Sequence, residues 1–160
     1  MSALALLAAA ALANPQPSTV VEGDWVVMRM AMEVPMSVVH KAIDSAAEVM
    51  AFGGEREILS LKPDGDCEVV EIQTPGPIGP MTYTVRRCAT VDGFAERMIA
   101  SDDFHANETE WHLAETATGT EIVYRVLVDP DIPTPSFLVN NKVKSAMAET
   151  LKDLYAVLTE

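Results

Sequence analysis

The hydrophobic positions near the C-terminal end of the chain repeat with the spacing of an amphipathic helix. From Pro135 to Leu158 the apolar residues recur every three or four positions, which keeps them on one helical face. Thr134 is placed to cap the first turn, and Pro135 suits the first helical position, where its missing N–H costs nothing. An apolar stripe of this length requires a wide apolar surface beneath it. The stripe consists of Val139, Val143, Met147, Leu151, Leu154 and Leu158.

A second pattern, with a period of two, starts near the N-terminal end. Residues 24–34 alternate between apolar and polar side chains, which is typical of a half-buried strand. Pro35 ends this strand. Two short helices are predicted to follow, the first capped by Ser37 and the second ending at the two glycines after Phe52.

The middle of the chain contains short β-prone runs separated by turn signals rich in Pro, Gly and Asp. Because the links between them are short, consecutive strands are predicted to pair antiparallel. The element order is therefore a strand, two short helices, six strands and a long helix, which is an α+β domain. The six strands are predicted at 56–62, 67–74, 81–91, 94–101, 107–115 and 120–129.

The clearest evidence for strand pairing lies in the hairpin formed by residues 67–74 and 81–88. An antiparallel register centred on the Pro77–Ile78 bond brings opposite charges and apolar residues face to face. The same register places Cys67 opposite Cys88. This pair predicts a disulfide if the protein is exported, and two small buried thiols if it is cytosolic. The other predicted pairs are Glu68 with Arg87, Val70 with Val85, and Ile72 with Tyr83.

Composition limits the classes of partner. A chain of 160 residues with 49% apolar and 22% charged residues fits one globular domain. Its formal net charge of −13 argues against nucleic acid and anionic lipid surfaces, which both need clusters of Lys and Arg. A neutral hydrophobic ligand remains compatible with this charge. The nine methionines suit either an irregular apolar core or an adaptable binding cavity.

The N-terminal segment predicts export. Residues 3–13 form a run of Ala and Leu that ends in a small-x-small sequence, so residues 1–13 resemble a secretory signal peptide, although no Lys or Arg precedes the run. The run is too short to span a bilayer. Residues 14–23 are interpreted as a linker and residues 24–160 as the folded domain. The predicted location is secreted or periplasmic, or cytoplasmic if the segment is not a signal.

The sequence gives no catalytic residue, metal site or cofactor motif that we would assign. The three histidines lack the spacing of metal ligands, and His112 alternates with apolar neighbours in a way that predicts a solvent-facing position. Residues 102–105, Asp-Asp-Phe-His, could bind a metal or act as acid and base, but they also fit a solvated turn, which we favour. Spacing does not decide whether Glu96, Arg97 and Glu110 face a cavity or solvent.

Three segments resemble the START-like superfamily, also called SRPBCC or Bet v 1-like, which includes polyketide cyclases and lipid-transport proteins. They are Val34-Pro35 followed by Ile43-Asp44, the 129–140 segment that leads into the last helix, and the 149–154 segment that closes it. The resemblance implies a helix-grip fold, in which a curved antiparallel sheet of about seven strands wraps the C-terminal helix. It also implies a cavity between sheet and helix for a lipid or another hydrophobic molecule.

Carried onto this chain, the resemblance places inward strand residues and the helix stripe in the cavity wall, although each of them could equally be ordinary core. Tyr83 and Tyr124 stand out because a buried hydroxyl needs a polar partner and can orient a ligand. The implied function is binding and transport of a hydrophobic small molecule or lipid. The alternatives are an enzyme of the polyketide cyclase, aromatase or dehydratase kind, and an interaction protein with a filled core. The candidate ligand-binding residues are Met28, Met30, Met32, Tyr83, Val85, Met98, Trp111, Leu113, Tyr124, Val126, Val143 and Met147.

Overall fold

The computed structural model describes residues 15–160, so the predicted signal peptide, residues 1–13, lies outside the described residues. Within this range, one curved antiparallel sheet of eight strands holds a long C-terminal helix, which confirms the predicted helix-grip architecture. The strands are β1 (Ser18–Glu22), β2 (Trp25–Met32), β3 (Glu57–Asp64), β4 (Cys67–Pro75), β5 (Pro80–Ala89), β6 (Gly93–Ala100), β7 (Phe104–Glu115) and β8 (Thr120–Pro130). The helices are α1 (Met36–Asp44), α2 (Ala46–Val49) and α3 (Ser136–Leu158).

The sheet order is β1-β2-β8-β7-β6-β5-β4-β3, with every neighbouring pair antiparallel. The segment from β3 to β8 is the predicted meander, because each of its strands pairs with the next along the chain. The strands β1 and β2 extend this meander at its β8 edge, where β2 pairs with β8. The helices α1 and α2 lie between β2 and β3 in the sequence, so they connect the two ends of the sheet.

The strand β1 corrects the prediction of a linker at residues 14–23 and brings the described sheet to eight strands instead of about seven. It pairs with β2 in a hairpin whose register runs from Ser18 with Arg29 to Glu22 with Trp25. Gly23, in the two-residue turn, has a φ of 63°, which a glycine adopts without steric cost. The β-branched residues Thr19, Val20 and Val21 favour the strand.

The predicted hairpin register is confirmed. The strands β4 and β5 pair Cys67 with Cys88, Glu68 with Arg87 and Ile72 with Tyr83, and a disulfide joins the two cysteines. The bond therefore links neighbouring strands across a sequence separation of 21 residues.

The helix α3 matches the predicted stripe, but its two halves differ in burial. The buried residues all lie from Val143 onward, whereas Phe137 and Leu138 in the first turn remain 63% and 49% exposed. The prediction that Thr134 caps this helix is wrong, because the helix begins one residue later and Pro135 occupies the N-cap position. Ser37 does not cap α1 either, because that helix begins earlier than predicted, at Met36 with Pro35 as its N-cap, and so includes Ser37. None of the helices in the described range is long and apolar enough to cross a membrane.

Candidate functional site

A cavity of about 330 Å³ lies between the concave face of the sheet and α3. One part of its wall, which we call the apolar end, consists of the first turn of α3 and two proline-rich links, residues 75–80 between β4 and β5 and residues 129–135 before α3. The other part, the polar end, brings together buried polar side chains. From Leu138 to Thr150 the two ends are about 18 Å apart along the helix, at about 1.5 Å per residue. The apolar end is formed by Pro75, Pro77, Pro130, Ile132 and Leu138, and the polar end by Arg56, Tyr83, Tyr124 and Thr150.

The predicted cavity residues divide into two groups. Tyr83, Tyr124, Val126, Val143 and Met147 line the cavity. The remaining candidates lie outside its lining and belong to the apolar core or pack against it, because α1, α2 and the second half of α3 cover that part of the sheet. This second group consists of Met28, Met30, Met32, Val85, Met98, Trp111 and Leu113. The proline-rich links at residues 75–80 and 129–135 also contribute to the lining.

Arg56 reaches the cavity because the loop before β3 is fixed to α3. The backbone N–H of Gly53 donates to Oδ2 of Asp153 at 2.8 Å. Gly53 has a φ of 82°, and a Cβ at this position would lie 2.8 Å from Oγ1 of Thr150. A glycine is therefore required where the loop touches the helix. Three residues further along the chain, Arg56 lines the cavity with its side chain only 15% exposed.

Glu96 lies behind Arg56 on β6 and is almost completely buried. Its Oε1 is 3.4 Å from Nη1 of Arg56, and its Oε2 is 3.6 Å from Nε of Arg87. The carboxyl group therefore lies between two guanidinium groups. Burying such a group is costly unless it is paired, so the three side chains depend on one another.

Arg87 is held by the end of α1 as well as by Glu96. Its guanidinium donates to the backbone carbonyls of Ile43 and Asp44, the latter at 2.9 Å. It also lies over the ring of Phe94, 4.2 Å from the centroid. The carbonyls of Ile43 and Asp44 lie at the C-terminal end of α1, where backbone acceptors lack partners within the helix and a cation is favourable. Glu68, predicted to pair with Arg87, lies opposite it in register, but the ion pair of Arg87 is with Glu96.

Burial keeps the two tyrosines of the polar end protonated. It raises the pKa of Tyr124 to about 12, against smaller opposing effects of Arg56 and Thr150. It also raises the pKa of Tyr83, although the charge of Arg56 opposes this. Burial opposes the charge of Arg56 itself, but Tyr83 and Glu96 outweigh it and leave its pKa above the ordinary value. At neutral pH the polar end therefore presents a cation and two hydroxyl donors.

A second charged cluster lies on the convex face of the sheet, away from the cavity lining. Glu110 accepts hydrogen bonds there from Arg97 and from Arg125, the latter at 2.6 Å. The ring of His112 lies between Glu110 and Asp92, with its nitrogens 3.0 Å from an oxygen of each. His112 is about one third exposed, in agreement with its predicted outward position.

The Asp-Asp-Phe-His segment at 102–105 is a turn that opens into β7, as we favoured. The carboxylate of Asp103 accepts the backbone N–H of Thr82 at 2.7 Å, which fastens the turn to β5. His105 is 60% exposed and pairs with Asp131 at 3.1 Å. In the described range, no group of three or more His, Cys, Asp or Glu residues could hold a metal ion.

The sequence analysis missed Arg56 and Arg87 as inward-facing residues, and it left Glu96 undecided. For two of them the alternation of the strands contained the signal. Tyr83 and Val85 face inward on β5, so Arg87, two residues further, must do so too. By the same argument Glu96 faces inward on β6, because Phe94, two residues earlier, does so. Arg56 is the first residue of the strand predicted at 56–62, whereas β3 begins at Glu57 and leaves Arg56 in the preceding loop.

No family model and no curated protein matches the chain. Several solved structures share its fold. A protein from Thermus thermophilus superimposes with a TM-score of 0.62 at 16% identity, over 84% of this chain and 93% of that one. A START superfamily protein from Mycobacterium smegmatis gives 0.62 at 14% identity, over 86% and 100% of the two chains. The Zhui aromatase/cyclase from Streptomyces sp. R1128 gives 0.57 at 15%, over 89% and 92%. Identities this low show the fold alone, and the chain therefore has the START-like fold.

Proposed function

We propose that the protein binds a hydrophobic small molecule or lipid in the cavity between its sheet and α3, and carries it without chemical change. The observation that supports this most is the space itself. A filled core would have brought α3 against the sheet along its whole length, whereas a cavity of about 330 Å³ separates them. This volume is at the lower end of the range for small-molecule sites, roughly 300–1,000 Å³.

The surface next to the apolar end supports uptake of an apolar molecule. Ile78, in the link between β4 and β5, is 95% exposed, and Phe137 and Leu138 at the start of α3 are 63% and 49% exposed. Large exposed apolar side chains that border a cavity are typical of binding sites. A ligand that reached the apolar end would cover part of this surface.

The binding function can be tested by filling the cavity. Ala146 lines it from α3, whereas Ala156 is exposed further along the same helix. We expect Ala146→Phe to abolish ligand retention, because the larger ring occupies the space, and Ala156→Phe to leave it unchanged. Native mass spectrometry of protein purified without detergent measures the retained ligand. A clean ligand-free mass for the unmodified protein, with no uptake of added fatty acid or sterol, would overturn the proposal.

A second candidate function is a cyclase, aromatase or dehydratase reaction in the same cavity, and the observation that favours it is the buried Arg56 with Tyr83 and Tyr124. Such groups can position a flexible substrate for reaction. The chemistry of the polar end nevertheless favours binding alone, because a permanently charged Arg and a tyrosine with a pKa of about 12 are poor proton shuttles at neutral pH. A ligand released with its mass unchanged supports the carrier function. Release with loss of water supports the enzyme.

We further propose that the protein is secreted or periplasmic. The disulfide between Cys67 and Cys88 supports an oxidising compartment, since such bonds are rare in the cytosol. The experiment is to determine the N-terminus of the protein from a culture fractionated into cytosol, periplasm and medium. We expect an exported protein that starts at Asn14. A cytosolic protein with residues 1–13 intact would contradict this.

A further inference from the structure

We infer that the ligand carries a carboxylate, which binds Arg56 at the polar end of the cavity while its apolar chain extends to the apolar end. This inference rests on the proposed binding function and adds the chemical class and the orientation of the ligand. Three observations support it: an imbalance of buried charge, a free donor on Arg56, and two hydroxyl donors beside it.

The charges of the polar end do not balance. Arg56 and Arg87 are both cations at physiological pH. In the part of the chain that the structure describes, Glu96 is the carboxylate within ion-pair distance of these guanidinium groups. A single carboxylate neutralises at most one of two cations, so a positive charge remains. Asp44 and Glu68 act on Arg87 from further away.

The charge open to a ligand belongs to Arg56, because Arg56 lines the cavity and Arg87 does not. The Nε of Arg87 lacks a hydrogen-bond partner too, but it faces Oε2 of Glu96 at 3.6 Å. Arg87 donates to two carbonyls at the end of α1 and lies over Phe94. Arg56 donates to Glu96 through Nη1, and its buried Nη2 has no hydrogen-bond partner among the described residues. Buried polar atoms are normally satisfied, and an orphaned one that borders a cavity indicates a missing partner. Glu55 also lines the cavity, but it is exposed and is not within ion-pair distance of Arg56.

A carboxylate fits these donors better than a neutral group does. A guanidinium N–H forms its strongest hydrogen bonds with charged oxygens. Tyr83 and Tyr124, which stay protonated, can donate to the same oxygens. The formal net charge of −13 repels anions from the protein as a whole, so a preference for an acid must come from this local site.

Lys142 is the other cation in the lining of the cavity, and a carboxylate bound to it would give the ligand the opposite orientation. It lies on α3 only four residues after Leu138 and is exposed. An exposed ammonium is strongly hydrated and gains little from a carboxylate, whereas Arg56 is largely withdrawn from water. The polar end is therefore the expected position of the ligand carboxylate.

The experiment compares three probes of equal chain length, dodecanoate, methyl dodecanoate and 1-dodecanol, by calorimetric titration of the whole protein. We expect dodecanoate to bind tightest, and Arg56→Gln to weaken it roughly 10- to 100-fold while changing the two neutral probes little. Arg56→Lys should recover part of the loss. Arg29→Gln is the matched control, because it removes one exposed positive charge on the convex face. Lys142→Gln is expected to have a small effect.

Each other outcome overturns the inference in a distinguishable way. Equal binding of all three probes to the unmodified protein would exclude a carboxylate anchor and leave the binding function intact. A loss with Lys142→Gln but not with Arg56→Gln would reverse the orientation. Binding of none of the probes would overturn both the inference and the proposed function. Because the comparison of probes uses the unmodified protein, it holds even if Arg56→Gln fails to fold.

Discussion

Two charged clusters occupy opposite faces of the same sheet, and they differ in how completely their polar atoms are paired. On the convex face, one largely buried glutamate, Glu110, accepts from Arg97, Arg125 and His112, whose own side chains are partly exposed to solvent. On the concave face, one glutamate, Glu96, pairs with two buried arginines, and buried atoms of all three side chains lack a hydrogen-bond partner. Adjacent residues supply both clusters, since Glu96 and Arg97 are neighbours on β6.

The difference shows that charge pairing alone does not identify a functional site. The convex cluster is denser in hydrogen bonds, and its partly exposed Arg97, Arg125 and His112 can also bind water, so each of these contacts adds little to stability. The concave cluster is poorer in hydrogen bonds and largely withdrawn from solvent, so a buried polar atom without a partner is costly there. The unsatisfied cluster is therefore the better candidate for ligand contact.

The largest effect is expected from removing the shared carboxylate of the concave cluster. Glu96→Gln leaves two buried guanidinium groups without a counter-charge, and we expect it to lower the free energy of unfolding by about 3–5 kcal/mol. Urea denaturation measures the change. The matched control is Glu121→Gln, whose exposed partner Arg29 is 3.8 Å away and whose loss should cost less than about 1 kcal/mol. Similar costs for the two variants would erase the distinction between the faces.

A smaller effect is expected from Arg87→Gln, which separates structure from binding within the concave cluster. The change removes the donations to Ile43 and Asp44 but leaves Glu96 paired with Arg56. We expect a loss of about 2–3 kcal/mol in unfolding free energy. Binding of dodecanoate should stay near that of the unmodified protein, in contrast to Arg56→Gln. Strong loss of binding with little loss of stability would show that Arg87, rather than Arg56, is the ligand contact.

The smallest effect is expected from the convex cluster, and it depends on pH. Burial lowers the pKa of His112, but Glu110 and Asp92 outweigh this and raise it above 6.5. The stabilisation of the folded state by protonated His112 is therefore complete below pH 6.5, and it is lost as the pH rises through the raised pKa. Because the ring is about one third exposed, we expect less than about 1 kcal/mol. Urea midpoints across this range should change in the unmodified protein and stay flat in His112→Gln. A slope that persists in the variant would rule out this origin.

The carboxyl group of Glu110 acts at the acid end of the same cluster. Burial raises its pKa, but hydrogen bonds from His112, Arg97 and Arg125 outweigh this and lower it to about 2. The ionised Glu110 therefore stabilises the folded state above pH 4.5, and this stabilisation is lost as the pH falls through about 2. Acid unfolding of Glu110→Gln should accordingly depend less on pH in this window than that of the unmodified protein.

The sequence predicted the features that depend on local periodicity. The stripe of α3 and the register of β4 with β5 follow from spacing and from cross-strand pairs, and both are as expected. The strand β1 was assigned to a linker, although its β-branched run and two-residue glycine turn are hairpin signals. The fold was accessible because each element carries its own pattern.

The candidate site was less predictable, because it depends on how the elements are placed. Alternation shows which strand residues face inward, but not which of them the helices cover, so Met28 and Trp111 were expected in the cavity and lie in the core. The decisive residue, Arg56, comes from a loop that is held by contacts with α3 from far along the chain. No local pattern predicts such a contact.

The most direct test of the account is a crystal structure of the protein with dodecanoate bound. We predict one carboxylate oxygen within hydrogen-bond distance of Nη2 of Arg56, and an alkyl chain that runs along α3 toward Leu138. A cavity that stays empty at saturating ligand, or a carboxylate at Lys142 with the chain directed at Arg56, would contradict the account.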